Sequence, residues 1–271
     1  KLAGSPRTVH EKEIRRLKPF TLWFEELLSK NGTKLSKKKV GESLIAGIKP
    51  NRLHRMLMEL QSGEVLTTNY DYALEQTSSE PHGREKRPSE NYFSLFRRNV
   101  VGDGRVWHIH GEAESAETIM LGHAHYSGYV TKVCNYLGAG VPTKAKRRNK
   151  TSYVSKFSPN FNGVKAKLYE ESWVDIFLER DVHVIGFGFD YTENELWHLL
   201  TVKRKLKKKK KTRGNTIFHW CSNDVLSDYD EAKHSLLRSL GVEVKEYIST
   251  SFESAYEDCI NQLESKFCGN P

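Results

Sequence analysis

Val182-His-Val-Ile-Gly-Phe-Gly-Phe-Asp190 is an apolar run of strand length that ends in two glycines and an acid, and a helical pattern over Glu193–Leu206 follows it. A short apolar run closed by glycine marks a strand buried on both faces. The alternation continues downstream, with a strand at Thr216–Trp220, a helix at Ser227–Leu240, a strand at Val242–Tyr247 and a closing helix at Phe252–Phe267. Leu240-Gly241-Val242 sets a glycine at a helix C-terminus directly before a strand. Upstream, Lys165–Arg180 reads as a helix. Strands alternating with helices of this length predict an α/β fold, a Rossmann-like parallel sheet with helices on both faces.

Towards the N-terminus the pattern changes. Ile14, Leu17, Leu22, Phe24, Leu27 and Leu28 recur at helical spacing, Asn31-Gly32 stops that run, and a second helix is expected over Gly41–Gln61 with a break near Pro50. Glu64-Val-Leu-Thr-Thr68 and Gly104-Arg-Val-Trp-His-Ile-His110 read as strands, and the polar stretch Gln76–Glu90 as a surface loop. The expected organisation is one domain over residues 1–271, with a helical N-terminal segment 1–62 and an insertion or cap over 113–164. That insertion holds a short apolar run at Ile119-Met-Leu and a helix around Tyr126–Leu137.

No apolar run approaches the roughly 20 residues of a membrane span, and the opening Lys1-Leu-Ala-Gly has no leader pattern. Four scattered cysteines, Cys134, Cys221, Cys259 and Cys268, fit a reduced, cytoplasmic compartment. The formal charge of +9 is concentrated in Lys207–Lys211 and Lys144-Ala-Lys-Arg-Arg-Asn-Lys150. Neither cluster is interleaved with aromatic residues, which favours solvated loops over a nucleic-acid surface. Nucleic-acid binding through Lys207–Lys211 is the alternative.

In open parallel sheets ligands bind beyond the carboxyl ends of the strands. The first strand delivers Thr67-Thr68-Asn69-Tyr70-Asp71 there, either as ligand groups or as an Asx-type helix cap. The second delivers His108-Ile-His110-Gly111, with strand alternation expected to send both imidazoles to one side. Histidine suits general-base work near neutrality, with packing or capping as the alternative. His-x-His is also metal-ligand spacing, repeated at His123 and His125, but no third-ligand motif accompanies it, so no metal is expected. The third strand delivers Gly186-Phe187-Gly188-Phe189-Asp190, whose glycines let backbone approach a phosphate or ribose, or simply turn the chain. The fourth delivers Cys221-Ser222-Asn-Asp224 beyond its end.

Taken in this order, the motifs resemble the sirtuin-like (SIR2-like) superfamily. The matching pieces are Thr67-Thr-Asn-Tyr-Asp71, His110-Gly111 and Gly186-Phe-Gly-Phe-Asp190, over roughly Gly63 to Phe267. The resemblance implies NAD+ as substrate, with Asn69 and His110 catalytic. Thr67, Thr68, Asp71, Gly111, Gly186, Phe187, Gly188, Asp190, Cys221 and Ser222 would contact the dinucleotide, the last two on its adenosine side. Two departures set the subtype. The chain has no Cys-x-x-Cys pair, so the zinc module of the deacylases is absent and the chain is more similar to bacterial anti-phage defence members that hydrolyse NAD+. The family's first strand and Gly-rich phosphate loop have no counterpart before Gly41; either they lie outside this sequence or this member lacks them.

The implied activity is an NAD+ glycohydrolase that breaks the nicotinamide–ribose bond to give nicotinamide and ADP-ribose or a cyclised product. Asn69 would orient the ribose or water, His110 would take a proton, and Asp71 would hold the ribose. Substitution of Asn69 or His110 is expected to abolish turnover and leave the fold nearly intact. The resemblance further implies a homo-oligomer or a partner defence protein. The alternatives are a non-catalytic module that binds NAD or ADP-ribose, and an ADP-ribosyl transferase or deacylase.

Overall fold

The computed structural model describes residues 20–60, 63–79, 83–85, 93–138, 156–157, 170–208, 214–222, 228–247 and 251–268. The basic cluster at 144–150, Asn223 and Asp224, and Lys209–Lys211 lie outside them.

The alternation in the second half forms as expected. β5 (Val182–Ile185), β6 (Ile217–Ser222) and β7 (Val242–Tyr247) make an all-parallel sheet in the order β5-β6-β7. The crossovers are α6 (Asn194–Lys208) and α7 (Asp228–Ser239), and α8 (Phe252–Cys268) closes the chain. β6 runs further than the apolar residues suggest. Cys221 and Ser222 are its last residues, paired with Glu246 and Tyr247 of β7, and do not lie beyond its end. The physical reason is that the neighbouring β7 is long enough to satisfy their backbone groups.

The first half departs from a purely parallel sheet. β1 (Glu64–Thr67) pairs in parallel with β4 (Gly104–His108). β4 also pairs antiparallel with β3 (Arg98–Val101), and β3 with β2 (Gly83–Glu85), giving a mixed sheet in the order β1-β4-β3-β2. A two-residue turn at Gly102-Asp103 joins β3 to β4, with Gly102 at a φ of 57°. Part of the expected Gln76–Glu90 loop is therefore strand β2.

Among the described residues, three helices precede β1. α1 (Phe20–Asn31) ends where Asn31-Gly32 predicts, and α2 (Thr33–Gly47) begins at once, earlier than the apolar pattern indicates. α3 (Arg52–Glu59) starts after the Pro50 break. Asn51 caps it by accepting the His54 backbone N–H at 3.1 Å. The expected Lys165–Arg180 helix is described only as α5 (Trp173–Glu179); Glu170–Ser172 are not helical and 165–169 lie outside the described residues. Its start is fixed by a capping box in which Ser172 and Asp175 exchange hydrogen bonds at 2.8 and 3.2 Å.

The principal core joins both sheets. Trp107 of the first sheet and Ile109 just beyond it join Ile217 and Val242 of the second, with Trp173, Phe177 and Leu178 of α5 and Leu199 and Leu200 of α6. The helix expected around Tyr126–Leu137 is α4 (His123–Gly138), and its buried stripe of Tyr126, Tyr129, Val133 and Tyr136 belongs to this core. Their spacing of three and four residues is that of one helix face. Each buried tyrosine also needs a partner for its hydroxyl. The Trp173 indole N–H donates to the Tyr129 hydroxyl at 2.7 Å, and Tyr136 donates to Asp175 at 2.5 Å. His125 turns its Nδ1 back onto the Leu121 and Gly122 backbone N–H groups at 3.3 and 3.1 Å. It serves as a helix cap, and His123 beside it is exposed.

Candidate active site

β1 and β4 run side by side, so their carboxyl ends open at the same place. Thr67 is level with His108, and the Ile109 N–H still donates to the Thr67 carbonyl at 3.0 Å. The chain leaving β1 turns through Thr67, whose hydroxyl accepts the Asn69 N–H at 3.1 Å. Asp71 accepts the Ala73 N–H at 3.0 Å, so one of its oxygens makes the local Asx turn that was the alternative to ligand binding. The Asn69 side chain is exposed at the mouth, with Thr67 and Thr68 half-buried.

The two histidines part company, contrary to the alternation expected of them. β4 ends at His108, and Ile109 and His110 lie in a turn, so the period of two stops between them. His108 lies against the Asn69 backbone: its Nδ1 is 2.8 Å from the Asn69 carbonyl and its Nε2 2.7 Å from Glu75. Both ring nitrogens face acceptors, so the ring carries two protons. Burial disfavours that charge, but the Glu75 hydrogen bond and charge outweigh it and raise the His108 pKa. Glu75 shifts the other way: burial works against its charge, and His108 and Asn99 pull its pKa down. This buried pair fixes the backbone that presents Asn69.

His110 points into the core between Tyr126 and Tyr129, with ring centroids 5.3 and 6.5 Å away. It is 2% exposed, and its Nε2 lies 2.6 Å from Glu195 and 3.4 Å from Glu193. Both acids sit at the start of α6, directly after the Gly186–Asp190 turn. Burial opposes a charged His110 ring, and the two carboxylates overcome it, so its pKa is raised. Glu193 is pushed up to about 7 by burial and by the neighbouring Glu195 charge, against the pull of His110. Oε2 of each acid is buried with no hydrogen bond among the described residues, and that of Glu193 has only the longer ion-pair contact with His110. Tyr70 reaches the same cluster from the first motif. It donates to the Met120 carbonyl at 2.5 Å, its own carbonyl accepts the Ala113 N–H at 2.7 Å, and burial pushes its pKa up.

The Gly186–Asp190 turn is held from several sides. Gly186 has a φ of 66°, and Phe189 a φ of 49°, a left-handed conformation that costs a bulky residue roughly 1–3 kcal/mol and is kept by its burial. Asp190 accepts the Thr192 N–H and hydroxyl at 2.8 and 2.7 Å, so it caps the approach to α6 as well as facing solvent. Among the described residues, a side chain at Gly188 would meet nothing within 4 Å, so this backbone has room for a ligand. Phe187 gives its carbonyl to His219 Nε2 at 2.9 Å. Cys221 faces Lys245 and the imidazoles of His219 and His234, while the side chain of Ser222 lies outside the described residues.

Gly111 is needed for the turn after His110. Its φ is 100°, and an added Cβ would fall on the Thr118 carbonyl. Gly111→Ala is therefore expected to cost about 2–4 kcal/mol, from left-handed strain plus overpacking; the urea midpoint measures it.

The structure thus brings together Tyr70, His110 and the helix that follows Asp190, one piece from each of three strand ends. Asn69 and His110 leave neighbouring strands, one exposed and one buried. Sequence reasoning gave no role to Glu193, Glu195 or Glu75. Acids in a helix's first turn are usual for the dipole alone, so Glu193-Asn-Glu195 carried little signal beyond standing directly after a glycine-rich strand end. His110, Glu193 and Glu195 offer ligand atoms all within 4.8 Å of one another, a donor set that a divalent ion accepts. Two open surface depressions, one at β7 and α8 and one between α4 and α6, are lined by neither Asn69 nor His110.

Comparison with known families settles the lineage. The model of the SIR2-like domain family matches residues 63–245. The chain belongs to the SIR2-like domain family. No curated protein matches it. SIR2-like domains bind NAD+, and membership brings an NAD-related function of the sirtuin superfamily. The matched span begins at β1 and ends within β7, so it contains every residue of the candidate site. This SIR2-like site suits a cationic ligand in one respect: two buried carboxylates, Glu193 and Glu195, share the single His110 ring among the described residues.

Glu193 gives a pH prediction. Its pKa in the fold lies at about 7, above the ordinary 4.5. A carboxyl raised in this way contributes stability that is fully present below its unfolded pKa and lost as pH rises through the folded value. Glu193→Gln is therefore expected to match wild type near pH 4 and to exceed it at pH 8, by an amount on the order of 1–3 kcal/mol. Thermal unfolding at the two pH values measures the difference.

Proposed function

We propose that this SIR2-like domain is an NAD+ glycohydrolase, acting in a reduced, cytoplasmic setting as an anti-phage defence effector. The observation that carries the reading is the His110–Glu195–Glu193 cluster, which stands where the Thr67–Asp71, His110-Gly111 and Gly186–Asp190 segments meet.

Cleavage of the nicotinamide–ribose bond builds positive charge on the ribose, as glycoside hydrolysis does. The buried carboxylates stabilise such charge, and they act in a medium that screens little. Asn69, uncharged and at the mouth, orients the ribose or the attacking water through its amide. The proton released when water adds must leave the sugar. His110, held charged by its two carboxylates, first gives its proton to Glu193, whose pKa of about 7 lets it receive one near neutrality, and the neutral ring then takes the proton released from water. The balance is NAD+ and water giving nicotinamide, ADP-ribose and one proton. Thr67, Thr68, Gly111, Gly186, Phe187, Gly188 and Asp190 hold the dinucleotide by backbone and short polar groups. No metal is required in this scheme. A homo-oligomer or a partner defence protein is proposed as the working assembly.

The test compares nicotinamide release from NAD+ alone with release in the presence of acylated or acceptor proteins. Acceptor-independent release, lost in folded Asn69→Ala, supports hydrolysis. Release only with an acceptor makes the domain a transferase or deacylase, and binding without release makes it a regulatory module.

A further inference from the structure

We propose that His219, Cys221 and His234 form a binding site for a borderline divalent transition ion of the zinc class, which ties β6 to α7 behind the glycine-rich turn. Their ligand atoms all lie within 4.8 Å of one another. Four-coordinate zinc, with bonds of about 2.0–2.3 Å, sets its ligands roughly 3.3–3.8 Å apart, so closure needs only small rotations. The sequence provides the arrangement simply. His219 and Cys221 are two apart on β6 and share a face of the strand, and α7 packs on that sheet to bring in His234.

Two observations point to a ligand. First, the Nδ1 atoms of His219 and His234 are both buried with no hydrogen-bond partner among the described residues. The residues themselves are each 3% exposed and their rings lie 5.7 Å apart. Two orphaned imidazole nitrogens in one buried spot are costly unless something binds them. Second, the tautomer of His219 is fixed. Its Nε2 faces the Phe187 carbonyl at 2.9 Å, and a carbonyl only accepts, so Nε2 carries the proton and Nδ1 presents a lone pair. A backbone carbonyl orienting a metal-binding histidine is a recurrent outer-shell arrangement.

The local electrostatics agree. Burial lowers the His219 pKa to about 4 and lowers that of His234, so both rings are neutral and able to ligate. Burial raises the Cys221 thiol to about 11, so without an ion it stays protonated. Binding then forms a metal–sulfur bond and releases the thiol proton to solvent. The nearby cations do not oppose the ion strongly, because Lys233 pairs with Asp230 and Arg238 with Glu246. A nitrogen, nitrogen and sulfur set favours zinc-like ions over magnesium or calcium. An ion here would occupy the Cys221 thiol, which is then not free for the adenosine side of a dinucleotide. It would also hold His219, and through it the Phe187 carbonyl of the turn. The proposal does not depend on the NAD+ reading.

The experiment is a Co2+ titration of the full chain after chelator treatment. One equivalent is expected to bind with a thiolate-to-cobalt charge-transfer band that Zn2+ abolishes. Cys221→Ser should lose the band, and His234→Ala should weaken binding more than about 100-fold, beyond the loss that outer-shell changes cause. Cys134→Ser, which alters the other cysteine–histidine contact at 3.3 Å from His198, should keep the band. If Cys221→Ser does not fold, retention of the band in Cys134→Ser, Cys259→Ser and Cys268→Ser assigns the thiolate to Cys221. Absence of the band in wild type, or its persistence in folded Cys221→Ser, overturns the proposal.

Discussion

Replacing His110 with alanine is expected to lower nicotinamide release by about 10²–10⁴-fold, the usual contribution of a positioned acid–base group. The ring is the only imidazole bonded to the Glu193–Glu195 pair, at 3.4 and 2.6 Å, among the described residues. The substitution also has a structural cost, contrary to the sequence-based expectation of a nearly intact fold. His110 and Glu195 are 2% and 0% exposed, so the variant leaves a carboxylate buried without its cation. Breaking such a pair costs roughly 3–5 kcal/mol, less whatever Glu195 recovers by taking up a proton. The two effects separate experimentally. Release is measured per folded molecule, with the folded fraction read by circular dichroism, and Glu195→Gln serves as the comparison. Glu195→Gln keeps a hydrogen-bond partner for the ring and removes only the charge. It should lose less stability than His110→Ala and still lose rate.

Glu75→Ala is expected to be the more damaging change to the fold, costing about 3–5 kcal/mol in urea unfolding, although Glu75 lies outside every sequence motif. It strips the buried His108 of its carboxylate 2.7 Å away and the Asn99 amide of its acceptor at 2.9 Å. The effect depends on pH in a defined way. Glu75 has a lowered pKa, so its contribution is present above the ordinary 4.5 and lost as pH falls through the folded value. His108 has a raised pKa, so its contribution is present below the ordinary 6.5 and lost as pH rises through the folded value. The gap between wild type and Glu75→Ala is therefore widest between pH 4.5 and 6.5 and narrows on both sides. A smaller effect follows at the site. Asn69 is presented by backbone that His108 grips, so the variant should also weaken turnover.

The second sheet was legible because β5 and β6 are compact apolar runs closed by glycine or a polar end, and β7 follows a helix closed by Gly241. Its helices carry the matching period, and their chain order fixes parallel crossovers. The first sheet was only half legible. β1 and β4 end in polar motifs that stand out, whereas β2 is three residues, Gly-Arg-Glu, with no alternation to read. β3 begins Arg98-Asn99, and Asn99 is buried for its bond to Glu75, a reason invisible in hydropathy. α4 was legible as a helix but read as part of a cap and not of the principal core, because three of its four buried positions are tyrosines, which read as amphipathic until their hydroxyls find Trp173 and Asp175. The site was legible as strand ends and not as partners. Asn69 and His110 could be named through the family resemblance of their motifs, but Glu193 and Glu195 resemble any acids at a helix start. Only the fold shows that one of them is fully buried against an imidazole. The lysine run was read as solvated, and its described part, Lys207 and Lys208, is exposed at the end of α6, where cations suit the helix dipole.

Chromatography of NAD+ incubated with the purified chain is the most direct check that these strand ends act on one dinucleotide. Nicotinamide and ADP-ribose, or its cyclised form, should appear in equal amounts with wild type and fall by at least about 100-fold with His110→Ala. Intact NAD+ after incubation with a folded wild-type chain that binds it, or undiminished release by folded His110→Ala, would contradict the assignment.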